Sequence, residues 1–150
     1  MNDKNNINAL ERMYREVMQD HYKNPRNKGL IGFDISSHKR NPSCGDDITV
    51  EVVVEDGVVK DVRQDGVGCL ICMSSASVMS EVVKGKKVTE ALLIMKNFYN
   101  MEMNQEVDEE ILDEAIIYKG VSQFPARIKC ACLPWKALGE ALGSEDEEDV

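Results

Sequence analysis

The sequence predicts an α+β domain in which helices cover one face of a small three-stranded antiparallel sheet. Two observations support this fold class. β-Branched residues alternate with a period of two before Cys69, and the segments after Cys69 have helical spacing instead. The length of 150 residues suits one domain. We therefore expect a single domain over residues 1–143 and a disordered acidic tail over residues 144–150.

The chain is predicted to open with an amphipathic helix. Apolar residues recur there at helical spacing: Ile7, Leu10, Tyr14, Val17 and Met18. The helix should end by Asn24, because the residue before Pro25 avoids helical geometry. His21 falls at this end. We interpret it as a partner of the helix dipole rather than a metal ligand, since no second histidine lies at ligand spacing.

A β-hairpin follows, with Ile48, Val50, Val52 and Val54 on one face of its first strand. We predict a three-residue loop at the turn, with Gly57 in the left-handed region, which sets Val62 opposite Val50. A two-residue loop would instead leave Asp61 and Arg63 against the valines. A weaker pattern within residues 33–40 predicts the third strand.

The remaining chain is predicted to form four helical regions. The first three span residues 70–84, 89–100 and 108–118, and Gly85 is a natural C-terminal stop for the first. Pro125 can open the fourth, which should end near Leu142. Pro134 is expected to break or restart that last helix.

Composition and charge exclude several classes of function. The net charge of −9 argues against a nucleic-acid binder, which needs a basic face. No apolar stretch is long enough to span a membrane, and the N-terminus lacks the pattern of a secretion signal. We therefore expect a cytoplasmic protein. In that reducing compartment, five clustered cysteines more often bind metal or do chemistry than form disulfides.

Strand geometry brings some of these cysteines together. Cys44 precedes the hairpin and Cys69 follows it, so antiparallel pairing returns both to one end of the sheet. Asp46 stands beside Cys44, and Cys130 is the natural fourth group of a tetrahedral zinc site. A carboxylate is unusual in a permanent structural site, which hints at a site that is remodelled. The alternative from spacing alone is five scattered core cysteines.

Two further cysteines complicate this count. Cys72 lies three residues after Cys69, so it shares a helical face with Cys69 and can reach the site. Cys132 lies two residues after Cys130 and should point away. For both, we favour the interpretation of a small buried hydrophobic residue.

Four segments then identify a family. HYKNPRN, NPSCGDDI, GVGCLICMSSASVMSEVVKGK and FPARIKCACLPWKAL resemble, in this order, segments of the U-type iron–sulfur cluster assembly proteins. Within that family the chain is similar to the SufU branch. Lys129 stands where IscU-like chains carry a histidine, and residues 100–118 resemble an insertion of SufU-like chains.

The resemblance implies a set of site residues. It implies that Cys44, Asp46, Cys69 and Cys130 bind Zn²⁺, and that Cys44 also receives sulfur from the persulfide of a PLP-dependent, SufS-type cysteine desulfurase. Arg127 matches a basic residue near the site, and Lys129 is a second possible auxiliary group, although both can equally be solvated cations. Cys72 and Cys132 depart from the family pattern, which leaves open how many thiols carry sulfur or bind metal.

The implied function is that of a zinc-dependent sulfurtransferase for iron–sulfur cluster assembly, which passes sulfur to a SufBCD-type assembly complex. One alternative is a scaffold on which the same ligands build a [2Fe–2S] cluster, because thiolates suit zinc and clusters equally. A second alternative, of another class, is a zinc-stabilised interaction module without sulfur chemistry.

Overall fold

A computed structural model describes residues 3–144, with side chains from residue 8 onward. Its elements follow the predicted order, and they are α1 (Asp3–Lys23), β1 (Ile35–Asn41), β2 (Asp46–Glu55), β3 (Val58–Val67), α2 (Leu70–Val83), α3 (Val88–Glu102), α4 (Glu109–Leu112), a 3-10 helix (Asp113–Gln123) and α5 (Pro125–Ala141). The acidic tail predicted for residues 144–150 lies almost wholly outside the described residues. Among the helices that are described, none is both long enough and apolar enough to cross a membrane.

The three strands form one antiparallel sheet in the order β1-β2-β3, and the helices pack on one of its faces. The alternation of β2 turns Ile48, Val50 and Val52 toward that face, where all three are buried. Helices α2 and α5 lie directly on the sheet, with α5 against β1 and β2 and α2 against β3. The predicted fold class is confirmed.

The predicted register of the hairpin is wrong. The turn is a two-residue Asp56-Gly57 loop in which both residues have positive φ, 51° and 73°. A β-bulge between Val53 and Val54 shifts the pairing by one residue, so Val62 lies opposite Val52 rather than Val50. A two-residue loop was expected to place Asp61 and Arg63 against the valines. The bulge prevents this, because it returns Val62 to the buried face.

The third predicted helix is also only partly correct. Helix α4 ends after one turn at Leu112, since Asp113 takes φ 50° and ψ −132°, a conformation incompatible with an α-helix. The chain then continues as the 3-10 helix. Its buried residues Ala115, Tyr118 and Val121 recur every three positions, which is the repeat of a 3-10 helix.

The break expected at Pro134 does not occur. Helix α5 begins at Pro125, as predicted, and continues through Pro134 to Ala141. Leu133, Pro134 and Trp135 are all buried, so tertiary packing outweighs the backbone hydrogen bond that proline cannot donate. Cys130, one turn earlier, therefore stays on the same helix as the buried C-terminal half.

Candidate metal centre

Four elements meet at one end of the sheet and each contributes one candidate ligand. The turn between β1 and β2 carries Cys44, the first residue of β2 is Asp46, the N-cap of α2 is Cys69, and the second turn of α5 carries Cys130. The Sγ atoms of Cys44 and Cys130 are 3.1 Å apart. Ligand atoms of Cys44, Asp46 and Cys130 all lie within 4.8 Å of one another, close enough to share one ion.

Asp46 supplies the clearest sign that the centre is built for a cation. Its side chain is 2 % exposed, and its Oδ1 accepts the backbone N–H of Cys69 at 2.9 Å. The second oxygen, Oδ2, is buried and has no hydrogen-bond partner among the described residues. Because an unpaired buried carboxylate oxygen is costly, an ion bound between Asp46 and the thiols fits this donor set.

Gly68, the residue before Cys69, leaves the space that the Asp46 carboxylate occupies. A Cβ atom on Gly68 would lie 2.7 Å from Asp46 Oδ1, closer than such atoms approach. Any side chain at position 68 therefore has to displace the carboxylate.

Cys69 lies beside the group of three rather than inside it. As the N-cap of α2 it accepts the backbone N–H of Cys72 at 3.4 Å, which fixes its sulfur at the start of that helix. Its thiol is close enough to Cys130 to influence the protonation of that group. The predicted convergence of Cys44 and Cys69 at one sheet end is thus observed, with Cys69 at the edge of the site.

The concentration of negative groups dominates the electrostatics. Burial raises the pKa of the Cys130 thiol, and the neighbouring Cys44, Asp46 and Cys69 raise it further. The exposed guanidinium of Arg127 offsets part of this charge. Its hydrogen bond to Cys130 raises the pKa of Arg127, and the charges of the Cys69 and Cys44 thiolates add to that effect. A divalent cation would offset the remainder.

The other auxiliary candidates differ from Arg127. Lys129 is exposed on α5, and within the described part of the chain its side chain makes no hydrogen bond or ion pair. Cys72 and Cys132 are completely buried in the core. Burial raises the pKa of both thiols, which holds them as neutral hydrophobic groups.

Asn41 belongs to the site, and the sequence analysis missed it. Its side chain is 6 % exposed at the end of β1, and its Nδ2 donates to Cys130 Sγ at 3.9 Å. These residues are 89 positions apart in the chain. Neither spacing nor composition connects them, so only the packing of α5 against β1 could reveal the contact.

The structure also corrects the interpretation of His21, which is completely buried. Its Nδ1 is 2.7 Å from Ser77 Oγ and its Nε2 is 2.5 Å from Glu114 Oε1, so it joins α1 to α2 and to the 3-10 helix. Glu81 lies 3.8 Å away. We call these four residues the histidine network. His21 thus makes specific side-chain bonds rather than only facing the helix dipole.

Comparison with known proteins places these observations in a family. Residues 13–131 match the model of the NifU-like N-terminal domain. The chain is 44% identical over 138 residues to the zinc-dependent sulfurtransferase SufU of Bacillus subtilis, covering 91% of this chain and 94% of the relative. It is 37% identical over 135 residues to the iron–sulfur cluster assembly scaffold protein IscU of Thermotoga maritima, covering 89% and 95%. The crystal structure of FiSufU from Fervidobacterium islandicum superposes with a TM-score of 0.81 at 37% identity, covering 85% of this chain and 94% of the other.

Proposed function

Because this chain belongs to the family of NifU-like N-terminal domains, we propose that it is a zinc-dependent sulfurtransferase that accepts persulfide sulfur for iron–sulfur cluster assembly. The observation that carries the proposal is the orphaned Oδ2 of Asp46 beside the paired thiols of Cys44 and Cys130. A thiolate set with one carboxylate oxygen matches the donors that zinc accepts.

The four predicted ligands have distinct roles in this proposal. Asp46, Cys69 and Cys130 would hold the ion, and Cys44 would be both a ligand and the reactive thiol. Bound zinc supplies one chemical effect, which is to keep the thiols deprotonated at neutral pH. Cys44 is suited to the reactive role because it lies on a turn and is partly exposed, whereas Cys130 is completely buried.

The sulfur transfer is a thiol–disulfide type exchange. The Cys44 thiolate attacks the terminal sulfur of a cysteine persulfide on a partner desulfurase. A new S–S bond forms on Cys44 as the S–S bond of the donor breaks, and the donor cysteine leaves as a thiolate that can take up a proton. One sulfane sulfur moves, so the Cys44 thiol is oxidised to a persulfide as the donor persulfide is reduced to a thiol, and no outside oxidant or reductant is needed.

The surroundings support this step. Arg127 is exposed on α5, and the nearby Cys130, Cys69 and Cys44 raise the pKa of its guanidinium. A cation at this position can stabilise the Cys44 thiolate during the exchange. All five cysteines are free, which fits work in a reducing, cytoplasmic compartment.

We expect a PLP-dependent, SufS-type cysteine desulfurase to be the sulfur donor and a SufBCD-type assembly complex to lie downstream. Intact-mass spectrometry after mixing the zinc-loaded protein with desulfurase and cysteine tests the proposal. A gain of roughly 32 Da, one sulfur atom, is expected on the wild type and not on Cys44→Ser. Prior chelation tests the dependence on zinc. If the wild type forms no persulfide and keeps its zinc tightly bound, the zinc-stabilised interaction module is favoured instead.

A scaffold for a [2Fe–2S] cluster is the second candidate, because a relative at 37% identity is an assembly scaffold. The same thiols can ligate iron. Anaerobic reconstitution with iron and sulfide, followed by visible absorbance, separates the two. A stable coloured protein that passes its cluster to an apo-ferredoxin would overturn the sulfurtransferase proposal in favour of the scaffold.

A further inference from the structure

We propose that Asn41 is a positioning residue that retains Cys130 in the ligand set and so leaves Cys44 as the thiol that is released. The inference rests on the proposed function for its biological meaning. The order in which the thiols of the centre react can, however, be tested independently of that function. It starts from an asymmetry in the hydrogen bonds that the three thiols receive.

Two of the three thiols accept N–H groups. Cys69 Sγ accepts the backbone N–H of Cys72 at 3.4 Å. Cys130 Sγ accepts the side-chain amide of Asn41 at 3.9 Å. An N–H group that donates to a thiolate withdraws charge from the sulfur, which lowers its nucleophilicity and stabilises it where it is.

Cys44 lacks this support. Among the described residues, the hydrogen bonds of its sulfur are to the Cys130 thiol and to the backbone carbonyl of Ala126, and no N–H group donates to it. It is therefore the most nucleophilic of the three sulfurs. It is also the easiest to move, because Cys69 caps α2 and Cys130 lies within α5, whereas Cys44 lies on a turn.

Asn41 connects the movable thiol with the retained one. Its backbone carbonyl accepts the N–H of Cys44 at 3.2 Å, and this bond closes the turn between β1 and β2. Its side chain crosses to Cys130 on α5. Asn41 is itself held by strand pairing, since it lies opposite Asp46 in the register of β1 with β2. Substitution of the side chain leaves the backbone bond intact, so the two roles can be tested apart.

The test uses the zinc-loaded full-length chain and limiting iodoacetamide, with peptide mass mapping of the alkylated cysteines. In the wild type we expect Cys44 to react first. In Asn41→Leu, which keeps the size but loses the donor, the ratio of Cys44 to Cys130 alkylation should fall about tenfold, the effect of one hydrogen bond to a charged group. Asn41→Asp, a second variant without the donor, should shift the ratio in the same direction.

Two controls make the result specific. Ser43→Ala alters an exposed residue of the same turn and should leave the ratio unchanged. Zinc content and circular dichroism establish that each variant is folded and loaded with zinc. One Asn41 variant that is folded and loaded is sufficient to test the alkylation ratio. A merely structural role for Asn41 would lower zinc content without redistributing alkylation between the two cysteines.

Mapping the persulfide after reaction with desulfurase separates this inference from the proposed function. If sulfur is found on Cys44 in the wild type and also on Cys130 in Asn41→Leu, both are supported. If the variant keeps zinc, and both its alkylation ratio and its persulfide site match the wild type, Asn41 has no such role. If alkylation shifts but no persulfide forms in any variant, the proposed function fails and the assignment of Asn41 stands.

Discussion

The described part of the chain contains two clusters of ligand-type side chains, and they differ in whether their polar atoms already have partners. In the thiol centre, formed by Cys44, Asp46, Cys69 and Cys130, Asp46 Oδ2 is buried and has no hydrogen-bond partner among the described residues. In the histidine network, both ring nitrogens of His21 have partners, and Ser77 Oγ also accepts the backbone N–H of Arg26 at 2.8 Å. Arg26 also lies 3.7 Å from Glu81 and supplies positive charge there.

This difference shows why proximity of ligand-type residues is a weak criterion for a metal site. Three potential ligand atoms within 4.8 Å occur in both clusters. In the histidine network the chain satisfies its own polar groups, so the residues act as a joint between α1, α2 and the 3-10 helix. In the thiol centre a buried acceptor is left without a partner and thiols surround it, which is the condition that a bound cation relieves.

The largest expected effect comes from removing a thiol at the centre. Cys130→Ala should lower the affinity for zinc at least a hundredfold, since even indirect supports of metal ligands are worth ten- to a hundredfold. Cys132→Ala is the matched control, because it removes an equally buried thiol two residues along the same helix. Competition with a chromophoric chelator measures both affinities. Equal losses in the two variants would mean that Cys130 is not a ligand.

The histidine network should affect folding rather than metal binding. His21→Ala removes a buried ring with two hydrogen bonds and should lower the free energy of unfolding by about 2–4 kcal/mol. Zinc content should stay unchanged. His38→Ala is the control, because His38 is half exposed and forms a surface pair with Asp47. Its cost should be below about 1 kcal/mol. Urea unfolding compares them, and loss of zinc from His21→Ala alone would contradict this division of roles.

Glu102 is a second buried carboxyl group whose oxygens have no hydrogen-bond partner among the described residues. Its side chain is completely buried at the end of α3, and neither oxygen has a hydrogen-bond partner among the described residues. Burial raises the pKa of Glu102 to about 8. An orphaned carboxyl group away from ligands thus takes up a proton, whereas Asp46 lies among thiols that can share an ion with it.

The raised pKa of Glu102 gives a pH dependence of stability. The folded state keeps the proton that the unfolded state loses above its ordinary pKa of 4.5, so the contribution is complete below pH 4.5 and is lost as pH rises toward 8. Glu102→Gln cannot ionise and should remove this loss, on the order of a few kcal/mol. Urea unfolding of both proteins at pH 5 and pH 8 measures it. Parallel losses in wild type and variant would exclude Glu102 as the cause.

The fold class and the position of the thiol centre could be predicted from the sequence, but several details of each could not. The sheet, its partner helices and the end of the sheet that collects Cys44, Asp46 and Cys69 follow from periodicity and antiparallel geometry. The hairpin register did not follow, because a bulge between Val53 and Val54 changes the pairing without changing the alternation of valines. Likewise, α5 continues through Pro134 because burial of its neighbours outweighs the local preference.

The parts that could not be predicted are contacts between residues far apart in the chain. His21 has the local sequence of a helix end, and its partners Ser77 and Glu114 lie 56 and 93 residues away. The buried serines of α2 are similar, since they are polar residues on a helix that periodicity assigns to the core. Only their partners explain them, for example the bond of Ser75 Oγ to the carbonyl of Ala131 at 2.7 Å.

The smallest expected effect tests whether the position of the orphaned carboxylate matters. Gly68→Ala places a Cβ 2.7 Å from Asp46 Oδ1, so the carboxylate must move away from Cys69 and the thiols. The affinity for zinc should fall about tenfold, within the range found for groups that orient ligands. Gly120→Ala is the control, because a Cβ there meets nothing within 4 Å. If chelator competition gives equal affinities for both variants, the centre tolerates a displaced Asp46. The thiols alone would then account for zinc binding. The unpaired oxygen of Asp46 would no longer explain why this cluster, and not the histidine network, binds a metal ion.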